Sequence, residues 1–113
     1  MQALHLGKDY LKEAPQNREL QALVGIALFR SKQLSIAHEL LLASTQDDIP
    51  RQYVFSSIAK LYIAQDKPEQ GLNYFLQEYE HFPTADIARL IGNIYRGFTS
   101  YISINTELLE LCF

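Results

Sequence analysis

Small and bulky residues return along this chain at a nearly constant interval, and that interval constrains the fold more than any single motif. Gly25 and Ala59 are 34 residues apart, as are Leu28 and Tyr62, Ala37 and Gly71, and Leu41 and Phe75. Counting 34 back from Ala37 and Leu41 reaches Ala3 and Gly7, and counting 33 forward from Ala59 and Tyr62 reaches Gly92 and Tyr95. An interval of this size is one supersecondary unit repeated. A single unit cannot bury its own apolar face, so successive units stack.

Within each interval the apolar residues follow helical spacing. Helices are expected over Glu19–Lys32, Ser35–Ser44, Arg51–Gln65, Pro68–Phe82 and Thr84–Arg96, with an earlier one over Gln2–Ala14. A last helix is expected over Thr99–Phe113, although Tyr101, Ile102 and Ile104 locally favour strand. The inward faces read Ile36, Leu40 and Leu41; then Phe55, Ile58, Ala59 and Tyr62; then Leu72, Phe75, Leu76 and Tyr79; then Ile87, Ala88, Ile91 and Tyr95. The breaks carry capping chemistry. Asn17 caps the helix after it, Gln33 or Ser35 marks the next start, and Asp66 caps ahead of Pro68. Asp47-Asp48-Ile49-Pro50 ends one helix and opens another, Pro83-Thr84 opens a third, and Gly97 allows a turn.

This period and these residue types resemble the tetratricopeptide repeat (TPR) family. The slots of the family's first helix are filled by Gln21, Val24, Gly25 and Leu28, then Phe55, Ile58, Ala59 and Tyr62, then Ala88, Ile91, Gly92 and Tyr95. The slots of its second helix are filled by Ala3 and Pro15, by Ala37 and Leu41, and by Gly71, Phe75 and Pro83. Gln21 and Ala88 depart from the aromatic slot, Gly7 from the bulky slot, and Ile104 stands where alanine belongs. The resemblance implies an all-α, TPR-like helical-hairpin solenoid of roughly three repeats and six antiparallel helices. Residues 1–113 form one domain: 2–14 the second helix of a partial repeat, 18–50 and 51–83 repeats, and 84–113 a degenerate repeat. The small residues Gly25, Ala59 and Gly92 would let the paired helix approach closely, while Leu28 and Tyr62 fill the space between pairs.

Composition narrows the function classes. With 113 residues, a net charge of −3 and a sequence pI near 5.5, the chain lacks the basic excess of a nucleic-acid binder. This argues against a base-per-repeat RNA reader, whose period is close. No apolar run reaches bilayer length, since even Leu20–Phe29 contains Gln21 and Gly25. The first ten residues hold neither a basic region nor a long apolar stretch, so no secretory signal is expected and a cytoplasmic location is. The single cysteine, Cys112, excludes an intrachain disulfide and a cysteine-based zinc site.

Catalytic material is sparse. His5, His38 and His81 fall on different helices or their ends, and no HExxH pattern occurs. His81 with Glu78 and Glu80 reads as a solvated helix end, where His suits the C-terminal dipole. Ser56-Ser57 lacks a nucleophile-elbow setting, Asp47-Asp48 is no calcium loop, and Asp86 and Glu107 have no placeable partner carboxylate. The expectation is therefore a non-enzyme with no cofactor and no metal.

A binding surface is the better expectation. In a TPR stack the first helices line the concave face, which here would expose Glu19, Ala22, Leu23, Ile26, Phe29 and Arg30, then Tyr53, Ser56, Ser57, Lys60 and Ile63, then Asp86, Arg89, Asn93 and Arg96. Two candidate patches follow. Leu23, Ile26 and Phe29 form an apolar patch for an amphipathic partner segment, unless the helix before them or a further neighbour covers it. Lys60, Arg89 and Arg96, with Tyr53 and Asn93, form a basic face for an acidic or C-terminal peptide, resembling part of the carboxylate clamp of some TPR proteins. The expected partner is a protein or peptide, with no nucleic acid and no membrane insertion. More specific versions are a small chaperone or adaptor of a bacterial secretion or assembly system, or a piece of a longer TPR regulator. Leu108, Leu109, Leu111, Cys112 and Phe113 make the last helix apolar, which suggests fold-back onto the preceding pair, a partner contact or a homo-oligomer.

Overall fold

The computed structural model describes residues 8, 9, 11–13 and 16–97, and every regular element among them is helical. Helix α1 is described at residues 8, 9 and 11–13. It is followed by α2 (Arg18–Arg30), α3 (Leu34–Ser44), a 3-10 turn (Thr45–Asp47), α4 (Val54–Ala64), α5 (Pro68–His81) and α6 over 85–97. The described residues are thus all-α. The expected helix over Thr99–Phe113, and most of that over Gln2–Ala14, lie outside the described residues.

Local chemistry explains the helix starts. The Asn17 side-chain oxygen accepts the Leu20 N–H at 3.0 Å, satisfying one of the free donors of the first turn of α2. Thr84 Oγ1 does the same for the Ile87 N–H at 3.2 Å. Gln33, not Ser35, flanks the start of α3.

The two turns that close the helix pairs make the same hydrogen bonds 34 residues apart. After α2, Ser31 N–H reaches the carbonyls of Ala27 and Leu28, Lys32 N–H that of Phe29, and Gln33 N–H that of Leu28. After α4, Gln65 N–H reaches Leu61 and Tyr62, Asp66 N–H reaches Ile63, and Lys67 N–H reaches Tyr62. Lys32 and Asp66 both take the left-handed conformation, with φ of 66° and 60°. This corrects the expected role of Asp66. It ends α4, and Lys67 flanks α5, whose first helical residue is Pro68. The left-handed residue turns the chain so that orphan carbonyls are met before the next helix begins.

Each pair packs along its length, α2 on α3 and α4 on α5, and α3–α4 and α2–α4 contacts join the pairs. A methyl group on Gly25 would lie 2.9 Å from Leu41 Cγ, so glycine there sets the approach of α3. At Gly71 the corresponding group would meet Ile63 Cδ1 at 2.6 Å and the Ala59 carbonyl at 3.1 Å. Ala22, Val24, Leu28, Ala37, Leu41, Val54, Ile58 and Leu61 form one core, on which Leu11 of α1 packs. Ala59, Phe75 and Ile87 form a second, with Leu90, Ile91 and Ile94 of α6 against it. At Gly92 only Arg96 comes within 4 Å of an added methyl, so the close approach expected there has no partner among the described residues.

Several inward faces differ from expectation. Ile36, Leu76, Tyr79 and Tyr95 are exposed, whereas Ala22, Ser56 and Ser57, expected on the open face, are buried. On α5 the buried stripe is Gly71, Phe75 and Glu78, because Glu78 turns inward to the start of α4. Helix α4 begins at Val54, three residues later than expected. Tyr53 is left-handed (φ 73°), and Arg51 is held by Asp47 through two hydrogen bonds of 3.0 and 2.6 Å.

Candidate functional site

The helices α4, α5 and α6 enclose a groove with two connected recesses. The larger, about 300 Å³, is lined by Lys60, Ile63, Phe75, Leu90, Asn93 and Ile94. The smaller, about 170 Å³, shares Lys60 and Leu90 and adds Tyr53, Ser56, Glu78 and Thr84. The floor of the first is apolar: Phe75 is buried, Leu90 and Ile94 pack against the second core, and Ile63 adds a partly exposed side chain. Lys60 and Asn93 stand exposed at its rim.

The eight residues expected to bind a partner divide into groups. Tyr53, Lys60 and Asn93 come together around the recesses. Arg89 and Arg96 lie on the same helix as Asn93 but line neither recess, and each instead pairs with a residue that does. Arg89 faces Asp86 at 3.9 Å on the open surface, and Arg96 donates to the Asn93 side chain. An exposed pair of this kind contributes little to stability. Leu23, of the expected apolar patch, is 61% exposed. Ile26 and Phe29 are half-buried and pack against the core of the first pair. Sequence reasoning did not assign Leu90, Ile94 or Phe75 to the site. The signal was present in α6, where Ile87, Leu90, Ile91 and Ile94 form an i, i+3, i+4, i+7 stripe.

Glu78 belongs to this site and was misplaced by its neighbourhood in sequence. It is not at a solvated helix end but 1% exposed. Its Oε1 accepts the Ser56 N–H at 3.1 Å, in the first turn of α4, where Tyr53 offers no side-chain cap. A carboxylate at that end complements the helix dipole. Its Oε2 has no hydrogen-bond partner.

His38 and His81 do not converge, and His5 lies outside the described residues. Rings form a continuous row from His38 through Tyr62, Tyr74 and Phe55 to His81, with centroids 5.0, 5.6, 6.2 and 6.4 Å apart in turn. Three aromatic side chains therefore separate His38 from His81. Burial raises the Tyr74 phenol above its ordinary range, with Tyr62 adding to the effect. His38 lines a separate recess of about 620 Å³ between α3 and α4, its Nδ1 3.3 Å from Gln65 Nε2. Among the described residues no group of three His, Cys, Asp or Glu could hold a metal ion, and no helix is long and apolar enough to cross a membrane. Comparison with protein-family models, with curated proteins and with solved structures finds no match to this chain.

Proposed function

We propose that the chain is a non-enzymatic, TPR-like helical-repeat scaffold that binds a peptide or amphipathic helix of a partner protein in the groove between α4 and α6. The observation that carries this reading is the apolar floor of Ile63, Phe75, Leu90 and Ile94 beneath a polar rim of Lys60 and Asn93. A segment with apolar side chains at i, i+3 or i+4 would bury them on that floor. Burial contributes about 25 cal/mol per Å² of apolar surface, while the rim charge sets orientation and partner choice. The 34-residue recurrence of turn hydrogen bonds supports the repeat reading.

The test is panning of a displayed 16-residue peptide library, followed by fluorescence anisotropy on the selected peptides. Leu90→Glu should weaken their binding by at least about tenfold if Leu90 is a central contact, and Lys60→Glu should do so for acidic peptides. Circular dichroism must show both variants folded. Peptides that bind equally to both variants but are lost on Leu23→Glu would move the site to α2. A library that yields no binder at all would remove the proposal.

A further inference from the structure

The smaller recess holds a feature that a peptide groove with a basic rim does not require. Glu78 is 1% exposed, and only one of its carboxylate oxygens is used, by the Ser56 N–H at 3.1 Å. Oε2 is buried without a hydrogen-bond partner. A carboxylate oxygen withdrawn from water without a partner is costly, and a cationic donor is the partner that offsets it best. Glu78 is also part of the wall of the 170 Å³ recess, beside Tyr53, Ser56, Lys60, Thr84 and Asp86.

Two other charges face the recess. Lys60 is exposed at its edge, and Asp86, 88% exposed at its side chain, is within 3.9 Å of Arg89. Neither serves Oε2, and the exposed Lys60 stands at the edge of the recess while the Glu78 side chain is buried in its wall. We propose that this recess is a subsite for a guanidinium or ammonium group, supplied by a basic side chain of the bound peptide, which donates to Glu78 Oε2. The proposal rests on the groove reading only for the carrier of the cation. The subsite itself is testable with a small probe. A partner would then place a basic side chain at Glu78 and apolar side chains on Ile63, Leu90 and Ile94. This differs from the acidic ligand that Lys60, Arg89 and Arg96 suggest in isolation.

The experiment is a titration of the isotope-labelled chain with n-butylguanidinium chloride to 20 mM, at ionic strength fixed with sodium chloride. The amide resonances of Ser56 and Thr84 are followed by NMR. The expected result is a saturable shift of both. Glu78→Gln keeps an acceptor for the Ser56 N–H and removes the charge, and it should weaken the probe by at least about tenfold. Lys60→Ala should leave binding intact or strengthen it, because a like charge is removed from the rim. n-Butylurea has the same shape without charge and should bind wild type at least about tenfold more weakly, a comparison that stands even if Glu78→Gln does not fold. A non-saturable shift overturns the subsite, as does equal binding of the urea or an unchanged affinity in folded Glu78→Gln. A Lys60 that itself occupies Oε2 overturns it too, and would appear as probe binding only in Lys60→Ala. Because no peptide is used, these outcomes are distinct from failure of the groove reading, which is read from Leu90→Glu.

Discussion

The hairpins α2–α3 and α4–α5 are closed by the same turn, yet they are held together differently. In the first, Asn17 caps α2 from the adjacent residue, and Gly25 lies under the buried Leu41. In the second, α4 has no local side-chain cap and takes Glu78 from 22 residues away in α5, while Phe75 replaces Leu41 in the core. The row of rings joining Tyr62, Tyr74 and Phe55 runs through the second hairpin and has no counterpart at Leu28, Leu40 and Gln21. One turn geometry thus supports a hairpin that is capped locally and one whose helices are tied through a buried carboxylate. The groove forms beside the second, where that carboxylate and an incompletely covered core are both available.

Core truncation should show the largest contrast. Phe75→Ala should cost about 4 kcal/mol and Leu41→Ala about 3 kcal/mol in urea unfolding, because the larger ring leaves the larger cavity. Equal losses would mean that the second core collapses around the gap. Capping should separate the hairpins next. Glu78→Ala strands the buried Ser56 N–H and should cost about 2 kcal/mol, against about 1 kcal/mol for Asn17→Ala at the exposed cap. A smaller loss at Glu78 than at Asn17 would break the contrast between the two ends.

The glycines sharpen it further. Gly25→Ala drives a methyl against Leu41, which is fully buried and cannot yield, so a net loss of about 1–2 kcal/mol is expected. At Gly71 the nearest atoms belong to Ile63, a side chain 39% exposed that can move aside, and the Ala59 carbonyl at 3.1 Å asks for only a small shift. Gly71→Ala should therefore stay within about 0.5 kcal/mol of wild type, crowding offset by helix propensity.

The smallest effect belongs to the linker between the hairpins. The Arg51 hydrogen bonds hold the Asp47 carboxyl down at about 2. A carboxyl depressed in the folded state from an ordinary value of about 4 stabilises fully above that value, and its contribution is lost as pH falls through about 2. Urea midpoints of wild type and Asp47→Asn should therefore differ slightly at pH 6 and converge near pH 2. A constant difference across that range would show that the pair acts through geometry alone.

Much of the fold was legible because helical spacing and turn signals are local. The hairpin ends at Arg30 and Ala64 and the starts at Leu34 and Pro68 fall within a residue or two of the expected bounds. Asp66 was misread because a short polar residue ahead of proline fits either a cap or a left-handed turn, and only the bond from Lys67 back to Tyr62 separates them. Ser56 and Ser57 read as surface by their repeat register. Both are buried where α4 packs on α5, and Ser56 is bonded there by Glu78. Of the candidate residues, Tyr53, Lys60 and Asn93, grouped in sequence by their repeat register, line the two recesses. Leu90 and Ile94 were passed over because α6 was aligned on Ala88 and Tyr95, by analogy with the preceding helices.

By itself, then, the sequence determined that the described residues are helical, where the hairpin turns fall, and that Gly25 must be small. Each depends on residues within a few positions, or on a period that can be counted. Only the tertiary structure decided which face of each helix is covered, that Leu23 stays open while Ile26 and Phe29 pack inward, and that Glu78 lies at the foot of a groove. Those outcomes depend on how three helices pack, and a buried carboxylate reads in sequence like any solvated one until the donor that holds it is placed beside it.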